Sequence, residues 1–393
     1  MTTLILHPLD TLFFRDGRPY NQDDPGQVEA ASLFPPHPPT LVGAVRAALA
    51  RAMGWSDGLW SSELKERLGD GVDWQQGGGQ LGRLRFTGPY VLKGRKPLFP
   101  APLCLVRGKD RRGQHIIGRL APGEKIECDL PDPEKSVRLP AMPNRTDVEG
   151  WKIFEHTWLT LDGMERVLNG EAPERPQIFK ADQIWQAERR VGVQRDTQTR
   201  TTKRFEAQEG EPAKGALYAS AHARLAQDVA LAVEVEGLSV ALNGNLAPVG
   251  GEGRSIWIEQ RDDEIKLPHA PDLTADQDGV LRYTVVLVTP ADLGDKWPGP
   301  GEGHAGPTGE ALPGKIVSAC TGRAVMVGGW DGVARRPLPL RPLIPAGSVW
   351  FLETKAEEAE AAQSWHGRAI GRSTGWGFGR VLIGRWAPAG EET

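Results

Sequence analysis

Gly371-Arg372-Ser373-Thr374-Gly375-Trp376-Gly377-Phe378-Gly379-Arg380 runs directly into Val381-Leu382-Ile383-Gly384-Arg385-Trp386. Four glycines fall between positions 371 and 379, and no acidic residue occurs between His366 and Trp386. Glycine tolerates φ > 0 and lets a second backbone approach closely, so a run this rich in it is neither a helix interior nor a central strand. It reads as a loop shaped to lie against something. Arg368, Arg372, Arg380 and Arg385 around it suggest an anion. The β-branched and aromatic residues after it predict a strand, and Ala356 to Trp365 before it predicts a helix. Strand, helix, Gly-rich loop and strand make the second half of a ferredoxin-like β-α-β-β-α-β unit.

A related pattern lies upstream. Gly250-Gly251-Glu252-Gly253-Arg254 precedes the apolar Ile256-Trp257-Ile258, as Gly377-Phe378-Gly379-Arg380 precedes Val381-Leu382-Ile383. Both copies read Gly-x-Gly-Arg and then a strand, a short internal repeat. The expectation is an α+β chain of two ferredoxin-like domains. The first, residues 1–262, carries long insertions, and the second spans 280–393. Polar sequence from Gln260 to Gly279 links them.

The rest of the chain fits around these anchors. Thr2 to Leu9 predicts a first strand, followed by a long loop from Asp10 to Pro39, dense in charge and proline. Loops of that length are usually functional or disordered. Thr40 is a plausible N-cap for a helix in which Leu41, Val45, Leu49 and Met53 share one face. Short strands are expected around Leu84–Phe86, Tyr90–Leu92 and Leu103–Val106, irregular chain from about 119 to 180, and within it a short helix at Asp162–Leu168. Between Ala187 and Phe205 lie Arg189, Arg190, Arg195, Arg200, Lys203 and Arg204 against only Glu188 and Asp196. Like charges at that density repel without a partner, and the segment predicts a protruding cationic hairpin. Val229 to Val235 and Leu281 to Thr289 predict buried strands.

Composition removes several functions. The 393 residues carry a net charge of −4, so any anion site is a local patch on a neutral-to-acidic body. Cys104, Cys128 and Cys320 are far apart and form no paired motif, which fits a reducing cytoplasm and argues against a Cys-ligated metal. Neither a signal peptide nor an apolar run of membrane-spanning length is apparent. Gly301-Glu302-Gly303-His304-Ala305-Gly306 matches a dinucleotide pattern, but prolines flank it where a strand and a helix are needed. The eight histidines make no H-x-x-x-H pair. His37 is the one to test as a general base, and Asp16, Asp23 and Asp24 could in principle hold Mg²⁺. The Arg and aromatic groups differ because they concentrate. Arg neutralises phosphates, Gly lets backbone N–H groups reach them, and Trp376 or Phe378 could stack on a splayed base or pack under the loop as anchors.

These pieces together resemble a known family. Leu9-Asp10-Thr11-Leu12-Phe13-Phe14-Arg15-Asp16-Gly17-Arg18-Pro19 follows the first strand, and Pro39-Thr40-x-x-Gly43-Ala44-x-Arg46 opens the first helix. Arg190-Val191-Gly192-Val193, Gly215-x-Leu217-Tyr218, Gly329-Trp330-Asp331 and Pro345-Ala346-Gly347-Ser348-Val349 accompany the two Gly-rich loops. The combination resembles the third-subunit family of type III-B (Cmr) CRISPR effector complexes, in the RAMP superfamily. The resemblance spans most of the chain and is least characteristic over residues 55–180.

The resemblance implies two RRM-related domains in a non-catalytic, cytoplasmic subunit without cofactor or metal. It implies that the chain binds the 5′ handle of the CRISPR RNA and contacts the large polymerase-like subunit and a RAMP backbone subunit. The residues expected to touch RNA are Arg15, Arg18, Arg46, Arg190, Arg195, Arg200, Lys203, Arg204, Arg254, Arg372, Phe378 and Arg380. Other RAMP proteins cleave RNA with a loop Asp or a His, so an endoribonuclease using His37 or the loop carboxylates is the alternative.

Overall fold

The computed structural model describes residues 1–15, 30–70, 74–75, 81–126, 137–196, 198–202, 217–294, 312–331 and 336–387. Arg18, Lys203, Arg204, Asp16, Asp23, Asp24 and the glycine pattern at 301–306 lie outside the described residues.

The fold is α+β and dominated by sheet, with four short α-helices among the described residues: α1 (Pro38–Ala52), α2 (Ser62–Leu68), α3 (Leu161–Leu168) and α4 (Ala359–Gln363). One sheet has eight strands. Its centre runs, edge to edge, Ser255–Arg261, Thr2–Pro8, Val229–Glu236 and Arg85–Lys93, and every neighbouring pair is antiparallel. Val229–Glu236 explains why this sheet is central. Its alternating Leu231, Val233 and Val235 enter the core on the α1 side, while Ala230 and Ala232 enter the core on the other face. A strand buried on both faces must read as a continuous apolar run, as Val-Ala-Leu-Ala-Val does.

A second sheet runs Lys315–Cys320, Val349–Lys355, Val280–Leu287 and Val381–Arg385, again antiparallel throughout. In chain order, the two four-strand sets share one arrangement: last, first, third, second. A further parallel concerns the Gly-rich loops. Upstream, the Gly251 N–H donates to the carbonyl of Phe13, just past the first strand, at 2.9 Å. Downstream, the Gly379 N–H donates to Pro290, just past the corresponding strand, at 2.8 Å. Each loop thus ties the entry to a last strand against the exit from a first one.

The two sheets share a core. Tyr90, Leu92, Phe99, Ala230 and Ala232 of the first pack in one cluster with Val286, Val317, Phe351 and Leu382 of the second.

Three sequence expectations need correction. The first helix begins at Pro38, with His37 rather than Thr40 at the N-cap, because proline's fixed φ and missing N–H suit a first helical turn. Residues 119–180 are not largely irregular. They contain the antiparallel pair Ala121–Ile126 and Val137–Ala141 and the strands Val148–Ile153, Thr157–Leu159 and Ile178–Lys180 around α3. The helix expected over Ala356–Trp365 is a 3-10 turn at Ala356–Glu358 followed by α4.

Candidate nucleic-acid interface

The Gly-rich loop that suggested an anion site faces inward. The Phe86 N–H donates to the Gly375 carbonyl at 2.8 Å, and the Ser373 hydroxyl donates to the Trp74 carbonyl at 2.6 Å. Gly377 has φ +96°, and a Cβ there would collide with the backbone of Gly88. Gly379 has φ +78°, and a Cβ there would collide with the carbonyl of Ile370. Phe378 is fully buried with its ring 4.8 Å from that of Trp74. The expectation that Phe378 stacks on RNA is therefore corrected: its ring is core between the two halves.

Arg46 is corrected for the same reason. It is 5% exposed, with its guanidinium 4.9 Å from the Trp60 ring and 5.8 Å from the Trp376 ring. Its Nε and Nη2 donate to the carbonyls of Leu68 and Gly69 at 2.9 and 2.6 Å. Burial pulls its pKa down to about 10, which leaves it charged at pH 7. Arg380 likewise points inside. Its Nη1 lies 3.9 Å from Oε2 of Glu234, which is 2% exposed and whose pKa is raised by burial. Arg46 and Arg380 thus join sheet and loop rather than line a surface.

A different set of cations comes together outside. Arg190, Arg224 and Arg254 converge on Asp10. Arg190 Nη2 is 2.7 Å from Oδ2 and Arg254 Nη1 3.1 Å from the same oxygen, while Arg224 Nη2 is 3.0 Å from Oδ1. Glu188 closes the cluster, 2.8 Å from Arg190 and hydrogen-bonded to Arg224 Nε. Its formal charge is three arginines less two carboxylates, or +1. The hydrogen bond from Arg190, helped by Arg224, holds Asp10 down at about 2, and the bond from Arg224 chiefly lowers Glu188.

Local sequence builds this site from three segments. Asp10 follows the first strand directly. Arg190 and Arg224 come from the antiparallel strands Trp185–Val193 and Leu217–Leu225, where Glu188 faces His222, Arg190 faces Ser220 and Gln186 faces Arg224 on one side of the ribbon. Gly192 on that side leaves room for the Tyr218 ring, which a Cβ would strike. Arg254 ends the upstream Gly-rich loop, closed by the Val249 N–H donating to its carbonyl at 2.9 Å. Beneath the cluster His222, 1% exposed, sits 3.2 Å from the Thr11 hydroxyl and 3.1 Å from that of Ser220. Burial, then Arg254, lowers its pKa, which favours the neutral ring at pH 7.

The other expected contacts distribute around this. Arg195 and Arg200 are exposed at the ribbon's described tip, where Arg195 bridges Thr202, and Arg189 is exposed on its opposite face. Arg15 is exposed and bridges Ser32. Arg372 is exposed on the second half, its N–H donating to Asp292 at 2.7 Å. His37 caps α1, half-buried, and desolvation takes its pKa down to about 4. Sequence reasoning missed Arg224, Asp10 and Glu188. Arg224 stands alone among small residues, and only the register opposite Gln186 reveals it.

Against known proteins, the chain matches the CRISPR-associated family Cas_Cmr3 over residues 4–386. No curated protein matches it. Among solved structures, chains of type III-B Cmr-beta bound to cognate target RNA match at 15% identity, covering 89% of this chain and 86% of that one. The TM-score is 0.47, and 0.46 with AMPPnP present in state 1. A chain of the type III-A Csm3–Csm4 subcomplex matches at 9% identity and TM-score 0.38, over 99% and 100% of the two chains. The family match extends over nearly the whole length and includes both Gly-rich loops and the arginine cluster. The chain belongs to the Cas_Cmr3 family and is a subunit of the Cmr effector of CRISPR defence.

Proposed function

We propose that this subunit is non-catalytic, grips the 5′ handle of the CRISPR RNA, and joins the large polymerase-like subunit to the RAMP backbone in antiviral defence. The observation that carries the RNA reading is the convergence of Arg190, Arg224 and Arg254 on Asp10, beside a ribbon that exposes Arg189, Arg195 and Arg200. Each guanidinium has five N–H donors in a fixed fork, and the acidic contacts leave others to donate to phosphate oxygens. Asp10 and Glu188 hold the three guanidinium groups in place and offset their mutual repulsion, so less ordering remains to be done when RNA arrives. We also read the halves 1–262 and 280–393 as two ferredoxin-like units. The shared strand order and the matching loop ties support that reading.

The test is fluorescence anisotropy with a short RNA carrying the handle, titrated with salt. Arg190→Ala, Arg224→Ala and Arg254→Ala should each weaken binding about tenfold, with the salt slope lower by about one for every phosphate no longer neutralised. Unchanged affinity and slope in all three would refute the RNA role of the cluster. Incubation of the wild type with RNA, with and without Mg²⁺, should leave the RNA whole. Cleavage abolished by His37→Ala would instead favour the endoribonuclease.

A further inference from the structure

The antiparallel ribbon built from Val325–Val327 and Trp330–Asp331 against Arg336–Pro337 and Arg341–Leu343 carries large apolar side chains on both faces. Its inner face is accounted for. Val327, Leu338 and Leu343 belong to the core around Trp74 and Phe378, the Trp74 indole N–H donates to the Gly328 carbonyl at 2.8 Å, and the Gln75 amide donates to Pro339 at 2.5 Å. Its outer face is not. Met326 is 45% exposed, Trp330 63% and Leu340 42%, and Pro337 and Pro342, which face Trp330 and Met326 across the ribbon, are exposed as well. A Cβ on Gly328 would meet the Leu340 side chain at 3.0 Å, so Leu340 lies over the gap between Met326 and Trp330. Four residues of strand span roughly 13 Å, so the three side chains form one continuous apolar stripe.

Exposed apolar residues scattered singly need no explanation, but a contiguous stripe on a rigidly anchored ribbon does. A strand apolar on both sides is the pattern of one covered on both sides. The rim has a sign. Arg323 at the base and Arg336 near the tip are exposed, while the acidic Asp331 is 9% exposed; Arg341, opposite the buried Val327, is paired with Asp292 at 3.5 Å. We infer that this stripe is a protein-docking surface for a neighbouring subunit of the complex, one presenting an apolar groove rimmed by carboxylates, with Trp330 as the anchor. Tryptophan in a desolvated pocket is the commonest kind of interface hot spot, and arginines suit an acidic rim. The aliphatic and proline content favours protein over RNA here, because base stacking needs several aromatic faces and this stripe has one.

The experiment uses the full chain assembled with its companion subunits and guide RNA. With p-benzoylphenylalanine in place of Trp330, irradiation should produce a crosslink to a protein subunit. Trp330→Ala and Leu340→Glu should each weaken incorporation into the complex at least roughly tenfold. Both side chains are exposed, so the melting temperature of the isolated chain should be unchanged and its folding is checked directly. A crosslink to RNA alone, no crosslink, or a protein crosslink with unchanged incorporation would each overturn the inference. Handle-RNA binding by the same isolated variants should equal the wild type. That readout depends on the Asp10 cluster, so the docking surface and the RNA reading fail separately.

Discussion

At the scale of single residues, the two inward-facing arginines and the three outward-facing ones should separate cleanly. Arg46 is desolvated between Trp60 and Trp376 and satisfies two carbonyls that close α2. Arg46→Ala orphans both carbonyls and opens a gap under the loop, and should cost about 3 kcal/mol, read as a lower urea midpoint. Its RNA affinity below the transition should match the wild type, in contrast to Arg190→Ala. Gly379 has no such alternative. Its positive φ and the Ile370 carbonyl leave no room for a side chain, and Gly379→Ala should destabilise by about 2 kcal/mol or more.

Asp10 sets a pH window. Its folded pKa, about 2, lies below the ordinary carboxylate value of 3.8. A depressed acid stabilises the fold above its unfolded pKa and loses that contribution as pH falls through the folded one. The melting-temperature difference between wild type and Asp10→Asn should hold from about pH 5 to 7 and shrink between about pH 4 and 2. Because Asp10 is half-exposed, solvent screening keeps the effect small.

At the scale of elements, the cationic ribbon is held at its base and exposed at its described tip. Trp185–Val193 pairs with Leu217–Leu225 along its whole length, and the side carrying Glu188 and Arg190 docks on Asp10 and Arg254. Arg195 and Arg200 lie beyond that docking and are exposed. The double variant Arg195→Glu with Arg200→Glu should therefore leave stability within about 0.5 kcal/mol, since exposed substitutions away from such contacts seldom do more. Handle-RNA affinity should fall by about tenfold or more, with the salt slope reduced by about two. Equal salt slopes for variant and wild type would remove the tip from the interface. The ribbon was readable as a cationic hairpin because six basic residues crowd between 189 and 204. Its partner strand was less readable, since Arg224 is the one arginine that Leu217–Leu225 contributes to that face, beside Tyr218, Ser220 and His222. Which cations meet depends on register, and register is a pairing fact that no local run of residues carries.

At the scale of the whole molecule, the two sheets do not stand as separate bodies. Val286, Phe351 and Leu382 of the second are buried against Tyr90, Leu92 and Phe99 of the first. Each fully buried side chain of this size contributes about 1.5–3 kcal/mol relative to exposure. Residues 1–262 or 280–393 expressed alone would expose that surface, and each should aggregate or behave as a molten species by near-UV circular dichroism. The full chain should melt in a single calorimetric transition. Two resolved transitions would show that the halves are energetically independent.

Read without its fold, the chain already specifies the alternation of strands, the two Gly-rich turns before the last strand of each half, the concentration of positive charge near residue 190, and the family. These are local properties: glycine's access to positive φ, β-branched runs and charge density act within a few residues. What the stretch from Gly371 to Arg380 does is a matter of long-range packing instead. The same glycines that would admit a phosphate also admit another backbone, and here Gly88 and Phe86 occupy the space. The same Phe378 that would stack on a base stacks on Trp74 instead. Solvent exposure is set by what the rest of the chain brings alongside. The arginines from residues 190, 224 and 254 meet at Asp10 because three distant segments close on one another, and those of 46 and 380 are enclosed by the same closure.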